Sequence, residues 1–144
     1  MISLDTARRL KAAGLKWQPA LHDFFAIPDR GMNEQIFVIS DLQVTVENQI
    51  GEQILAFQGA SEWALDSLVI AESIWLPTEE QLRLALEETF LTSSQSGLRL
   101  TSSLKGCCCE IHFKGQHQSF ESRDASEAYA QALLFVLEDL LDRK

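Results

Sequence analysis

The sequence predicts an α+β fold, with antiparallel sheet or sheets of about six or seven strands packed by about four helices, in one domain over residues 1–144. Three observations carry that expectation. The last third holds a β-hairpin pattern: Cys109-Glu110-Ile111-His112-Phe113, a Lys114-Gly115 turn, then Gln118 to Glu121. This pattern runs straight into an amphipathic helical stretch from Ala125 to Leu141. Upstream, short apolar or alternating runs bounded by turn residues are interspersed with stretches of helical spacing.

The first helix starts at Ser3, a suitable N-cap, and runs through Ala13 with Leu4, Ala7 and Leu10 at helical spacing. Gly14 suits the left-handed residue that ends a helix, and Leu15 is then placed to fold back on Leu10. Pro19 disfavours helical backbone in the residue before it, so the segment Lys16 to Pro19 leaves the helix. Phe24 to Ile27 is a short apolar run ended by a Pro28-Asp29-Arg30-Gly31 turn. Gln35 to Ile39 is a second strand. Leu42, Val44 and Val46 alternate as a third, and Ile54 to Gln58 is a fourth after a turn containing Gly51. These four read as an antiparallel meander.

Ser61 is the N-cap expected for a second helix, with Trp63, Ala64, Leu65, Leu68 and Val69 as its apolar side. Ser73 to Leu76 reads as an extended link closed by Pro77. Thr78-Glu79-Glu80-Gln81 is a capping box that opens a helix to about Phe90, with Leu82, Ala85, Leu86 and Phe90 on one face. Thr92 to Gly97 is a Ser-rich connection too short to separate domains. Leu98, Leu100 and Ser102 alternate as a strand before a Lys105-Gly106 turn. In the last helix, Asp124 with Glu127 forms a second capping-box variant. Ala128, Tyr129, Ala132, Leu133, Val136, Leu137 and Leu140 make its apolar stripe, and Glu127, Gln131, Glu138 and Asp142 are expected to face water.

Apolar residues make up 46% of the 144 residues and charged residues 23%, which are globular values. The formal net charge is −9, from 21 acidic against 12 basic side chains. A field of that sign repels phosphate backbones, so nucleic acid is not an expected partner. The acidity serves solubility first, and docking to a basic partner or mimicry of nucleic acid second. The first residues lack a basic lead and an apolar core, which is not a signal-peptide pattern. The longest apolar runs, such as Ala132 to Leu137, are too short to span a bilayer. No membrane association is expected, and the cytoplasm is the expected location.

Cys107, Cys108 and Cys109 are consecutive, and an odd count with no second cluster gives no disulfide framework. On a strand, Cys107 and Cys109 share one face and Cys108 takes the other. Cys108, Glu110 and His112 therefore share a face, as do His117, Ser119 and Glu121 on the next strand. A turn centred on Gly115-Gln116 places His112 opposite Ser119 and Lys114 opposite His117, with the two imidazoles diagonal to each other. The usual paired spacings of zinc ligands are missing, so a polar solvated face is the expected reading. A catalytic thiolate wants electropositive surroundings, whereas Cys108 has Glu110 and Glu121 nearby.

The carboxylate pairs Glu79-Glu80 and Glu87-Glu88, and Glu121 with Asp124, fall at helix ends or solvated faces. The 7 glycines are dispersed, and no phosphate-loop or dinucleotide pattern occurs. Trp17, Trp63 and Trp75 have aliphatic neighbours that point to core or core-edge packing, and Asp23, Asp29 and Asp41 suit turns and caps. No residue is assigned a catalytic, cofactor-binding or metal-binding role, and no cofactor is implied.

Several motifs taken together resemble a group of small, uncharacterised bacterial proteins, some of which bear a pilus-assembly label. They are Leu10-Lys11-x-Ala13-Gly14-Leu15-x-Trp17-x-Pro19, Asp23-Phe24-Phe25, Val38-Ile39-Ser40-Asp41-Leu42, Trp63-Ala64-Leu65-Asp66 and Trp75-Leu76-Pro77-Thr78-Glu79-Glu80-Gln81-Leu82. The likeness covers roughly residues 3 to 90, with a weaker echo in Ala125-Ser126-Glu127-Ala128-Tyr129. It implies no catalytic residues. The function expected is a non-enzymatic cytoplasmic domain that binds another protein or a second copy of itself. The alternatives are a small-ligand binder or enzyme whose site is assembled from distant residues, near Trp17, His22 or Asp23 for example, and an acidic immunity or inhibitor protein.

Overall fold

In a computed structural model of the protein, described for residues 1–28, 35–40, 44–57, 67–91 and 95–143, three helices accompany three small antiparallel sheets of three strands each. The fold is thus α+β. Two compact units are present: Met1–Leu15 with Pro77–Lys144, and Lys16–Leu76. The chain passes between them at Leu15–Lys16 and Leu76–Pro77, just after a helix stop and just before a capping box. The Ser-rich stretch after Phe90 lies within the first unit, and its residues 92–94 are outside the described residues.

In the first unit, α1 (Leu4–Ala12) begins as its sequence dictates, with Ser3 Oγ accepting from the Thr6 N–H. It ends on Gly14 at φ 100°, with Gly14 N–H donating to the Lys11 carbonyl and Leu15 N–H to the Leu10 carbonyl. Those two bonds satisfy carbonyls the helix would otherwise leave open. Helix α2 (Glu79–Phe90) carries the full capping box: Gln81 N–H donates to Thr78 Oγ1, and Thr78 N–H donates to Gln81 Oε1. Leu82, Leu86 and Phe90 are its buried face.

Strands β7 (Gly97–Ser103), β8 (Gly106–Phe113) and β9 (Gln116–Ser122) form a meander in that order. The first connection is the two-residue loop Leu104–Lys105, with Gly106 already paired to Ser103, rather than a Lys105-Gly106 turn. The second is Lys114-Gly115, with both residues at positive φ (52° and 79°), as the right-handed twist of a hairpin prefers. That turn closes Phe113 against Gln116 and corrects the expected register. His112 lies opposite His117, not Ser119. The shift follows from Lys114 taking the left-handed position, which moves the turn's centre back by one residue.

Helix α3 (Ala125–Leu141) packs against β8, β9, α1 and α2. Its buried face differs from the expected stripe, because Ala130 and Leu134 are buried as well whereas Leu140, near the end of the helix, is exposed. Asp124 caps it by accepting from the Glu127 N–H. Glu127 itself is half-buried and does not close a capping box. Its carboxylate accepts from the Ser3 N–H (2.7 Å) and the buried Thr6 hydroxyl (3.0 Å). The start of α1 offers unpaired N–H groups and a positive dipole end, which hold a carboxylate better than water does.

In the second unit, β1 (Phe24–Ala26) is the centre of a sheet between β2 (Phe37–Val38) and β6 (Ile74–Leu76). A separate sheet joins β3 (Val44–Gln49), β4 (Glu52–Phe57) and β5 (Ser67–Val69). The expected four-strand meander is therefore divided after β2, where, among the described residues, an isolated Ser40–Val44 bridge continues the pairing. The extended link before Pro77 pairs with β1 as β6. The expected helix from Ser61 begins outside the described residues, and where it should end, residues 67–69 are a strand paired with β4. A 3-10 turn, Ile70–Glu72, follows. Apolar residues at 68 and 69 fit a strand as well as a helix, and pairing with β4 decides between them. Phe25, Ile27, Ile39, Val44 and Leu55 form the core of this unit, with Trp17, Phe37, Val46 and Phe57 packed against it.

Gly106 has φ 133°, and a Cβ there would lie 2.5 Å from the Ser122 carbonyl oxygen. Gly106→Ala is therefore expected to destabilise the protein by about 1–3 kcal/mol in denaturant melts. A Cβ at Gly97 meets nothing within 4 Å, and Gly97→Ala should leave the melt nearly unchanged. Glu127→Ala removes two charge-assisted bonds at once and is expected to cost about 1.5–3 kcal/mol in the same measurement.

Candidate functional site

The C-terminal sheet has one covered and one open face. Cys109, Ile111 and Phe113 are buried on the covered side, where the Phe120 ring meets Phe135 of α3 at 5.8 Å. The alternate residues are turned the other way. Their register gives three rows across the sheet: Gly97–His112–His117, Arg99–Glu110–Ser119 and Thr101–Cys108–Glu121. The sheet thus gathers on one surface the His, Cys and Glu side chains that sequence parity had grouped.

The first two rows hold the densest chemistry. The imidazoles of His112 and His117 contact each other, with ring centroids 4.6 Å apart and planes tilted by 56°. Glu110 Oε1 lies 3.6 Å from His117 Nε2, within ion-pair range when the ring is protonated. A shallow hollow of about 290 Å³ is lined by these three side chains with Gly97, Leu98 and Arg99. Gly97 and Arg99 were not grouped with the histidines from the sequence. The alternation of Leu98 and Leu100 carried the signal, because it sends residues 97, 99 and 101 to the other face.

A second hollow of about 240 Å³ lies beside the thiols, bordered by Thr101, Lys105, Cys108 and Glu121. Cys108 sits between Thr101 and Glu121 across the strands, with no imidazole in contact among the described residues. Cys107 lies 3.7 Å from the Ser102 hydroxyl. Cys109 is fully buried, and its thiol is pushed up to about 12, chiefly by burial and then by Cys108 and Glu110. It packs as a small apolar residue.

The paired carboxylates do not converge. Glu79 and Glu80 stand in the first turn of α2, Glu87 pairs with Arg83 at 2.9 Å, and Asp124 is a cap. In the second unit, Asp23 is buried and its Oδ2 accepts from Trp17 Nε1 (2.8 Å) and the Ala20 N–H (3.0 Å). His22 is exposed at φ 72°, with its backbone N–H on the Ile39 carbonyl. Trp17 also lies nearly parallel to Trp75, at 6.4 Å. Of the groups around which a distant-residue site was expected, the Trp17 and Asp23 side chains are thus engaged in packing and hydrogen bonding. Trp63, Asp29 and Asp41 lie outside the described residues.

No helix among the described residues is long and apolar enough to cross a membrane. No family model, no curated protein and no solved structure matches the chain, so its reading rests on its own residues.

The thiols offer a direct check. Under native conditions an alkylating reagent is expected to modify Cys107 and Cys108 well before Cys109. The raised Cys109 pKa also sets a sign. An unfolded thiol ionises near 9.0, while the folded one keeps its proton to about 12. Stability measured by denaturant melts should therefore fall as pH rises from 9.0 toward 12, and Cys109→Ser should weaken that dependence.

Proposed function

We propose that this chain is a non-enzymatic protein-interaction domain that acts in the cytoplasm by docking a basic, amphipathic segment of a partner. The observation that carries the reading is leucine exposure on the helices. Leu84 and Leu91 are 50% and 84% exposed, and Leu140 and Leu141 are 38% and 46% exposed. Leu84 and Leu91 are seven residues apart, and the C-cap residue Leu91 keeps helical backbone, so both stand on one stripe of α2. Glu87 and Glu88 lie between them on that stripe, both exposed. An apolar stripe carrying carboxylates matches an amphipathic helix with basic flanks. The net charge of −9 speeds encounter with such a partner.

The test is a comparison of the wild type with Leu84→Glu/Leu91→Glu, both changed side chains being solvent-facing. Light scattering after size exclusion reads self-association, and affinity capture from the native cell reads other partners. A protein with a basic amphipathic segment captured by the wild type and lost from the double variant, with circular dichroism unchanged, is the expected result, whereas self-association alone would contradict the basic partner. Identical profiles for both proteins would refute the reading.

A further inference from the structure

The leucine stripe leaves the histidine pair on the sheet without a role. His112 and His117 are the second cross-strand pair from a two-residue hairpin turn. In such a hairpin the closing pair, Phe113 with Gln116, carries the ladder bonds, so the next pair is of the non-hydrogen-bonded kind. Side chains approach most closely there, and the ring contact at 4.6 Å shows that these two do. Two imidazoles in contact on adjacent strands can each turn a ring nitrogen toward one ion. Directly across from His112 stands Gly97, which contributes no side chain, so the rings border open volume instead of a filled neighbour. On the far side, the Glu110 carboxylate is 3.6 Å from His117 Nε2. At that distance the carboxylate is not hydrogen-bonded to the ring but adds negative charge beside the two imidazoles.

We propose that His112 and His117 chelate a late first-row divalent cation in the hollow on the open face of the C-terminal sheet. Imidazole donors suit zinc, nickel and copper better than calcium or magnesium. Among the described residues no three His, Cys, Asp or Glu side chains form a metal cage. The chelate therefore has two protein donors, and water fills the remaining positions. Arg99 lines the same hollow and opposes a cation, but Glu110 offsets it locally and the acidic chain offsets it at long range. Because the two donors come from adjacent strands, the ion ties β8 to β9. Binding to the folded hairpin alone stabilises it by linkage.

The experiment is zinc titration of the reduced protein by calorimetry, with thermal melts in parallel. The wild type is expected to take up one equivalent at sub-millimolar zinc and to melt at a higher temperature with it. His112→Asn and His117→Asn should each weaken binding by more than about tenfold and abolish the shift in melting. Cys108→Ser should bind as the wild type does, which separates the imidazole pair from the nearby thiols. Absence of uptake by the wild type, undiminished uptake by either histidine variant, or loss of uptake in Cys108→Ser would each overturn the proposal.

Discussion

The first unit, Met1–Leu15 with Pro77–Lys144, depends on the burial of one helix. Helix α3 contacts the sheet on one side and both other helices of its unit elsewhere, so it is the element that most of the others need. Its composition permits this. Ala128, Ala130 and Ala132 are small enough to let neighbouring backbones approach, while Leu133, Leu134 and Val136 fill the remaining space. Each buried leucine or valine contributes about 1.5–3 kcal/mol relative to exposure. The partners on the other side are equally apolar: Leu10 from α1, Leu82 and Leu86 from α2, and Cys109, Ile111 and Phe113 from β8. Removing α3 would expose the apolar faces of α1, α2 and β8, leaving contacts such as that of Phe90 with Phe113 to hold them. Glu127 adds a polar constraint to this apolar one by tying the first turn of α3 to the first turn of α1.

Local chemistry made much of this legible in the sequence. A cap or a tight turn is decided within four or five residues. Thus Ser3, Gly14, the Thr78–Gln81 box and Asp124 could each be placed before any tertiary contact was known. The burial of Cys109, Ile111 and Phe113 against exposure of His112 followed from strand parity alone. What was not legible required partners far along the chain. Residues 68 and 69 satisfy helix and strand periodicity alike, and pairing with β4 chose the strand. The division of the first four strands between two sheets depends on β1 pairing with β6, some fifty residues downstream. Glu127 fits a local capping box by spacing, yet a partner more than a hundred residues away in sequence holds its carboxylate.

The same contrast applies to the surface. Parity put His112 and His117 on one face, but whether they were diagonal or opposed turned on a single turn residue. With Lys114 at positive φ they are opposed and in contact, which converts a scattered polar face into one with a defined donor pair. Leu84 stands two residues from both Leu82 and Leu86, which turns it off their face, so its exposure followed from spacing; that of Leu140, which spacing put on the apolar stripe of α3, was visible only once the helices were packed. The molecule thus presents two unlike surfaces from one unit: a polar sheet face with paired imidazoles, and a helical surface carrying leucines and carboxylates.

Native-state hydrogen exchange tests the role of α3 most directly. If the unit is organised around that helix, amides from Ala128 to Val136 open only when the unit unfolds as a whole. They should be the slowest of the first unit, well behind those of the edge strand β7 and of α1. Exchange of the α3 amides at rates matching β7 would contradict this, because it would mean that the helix can leave while the sheet stays folded.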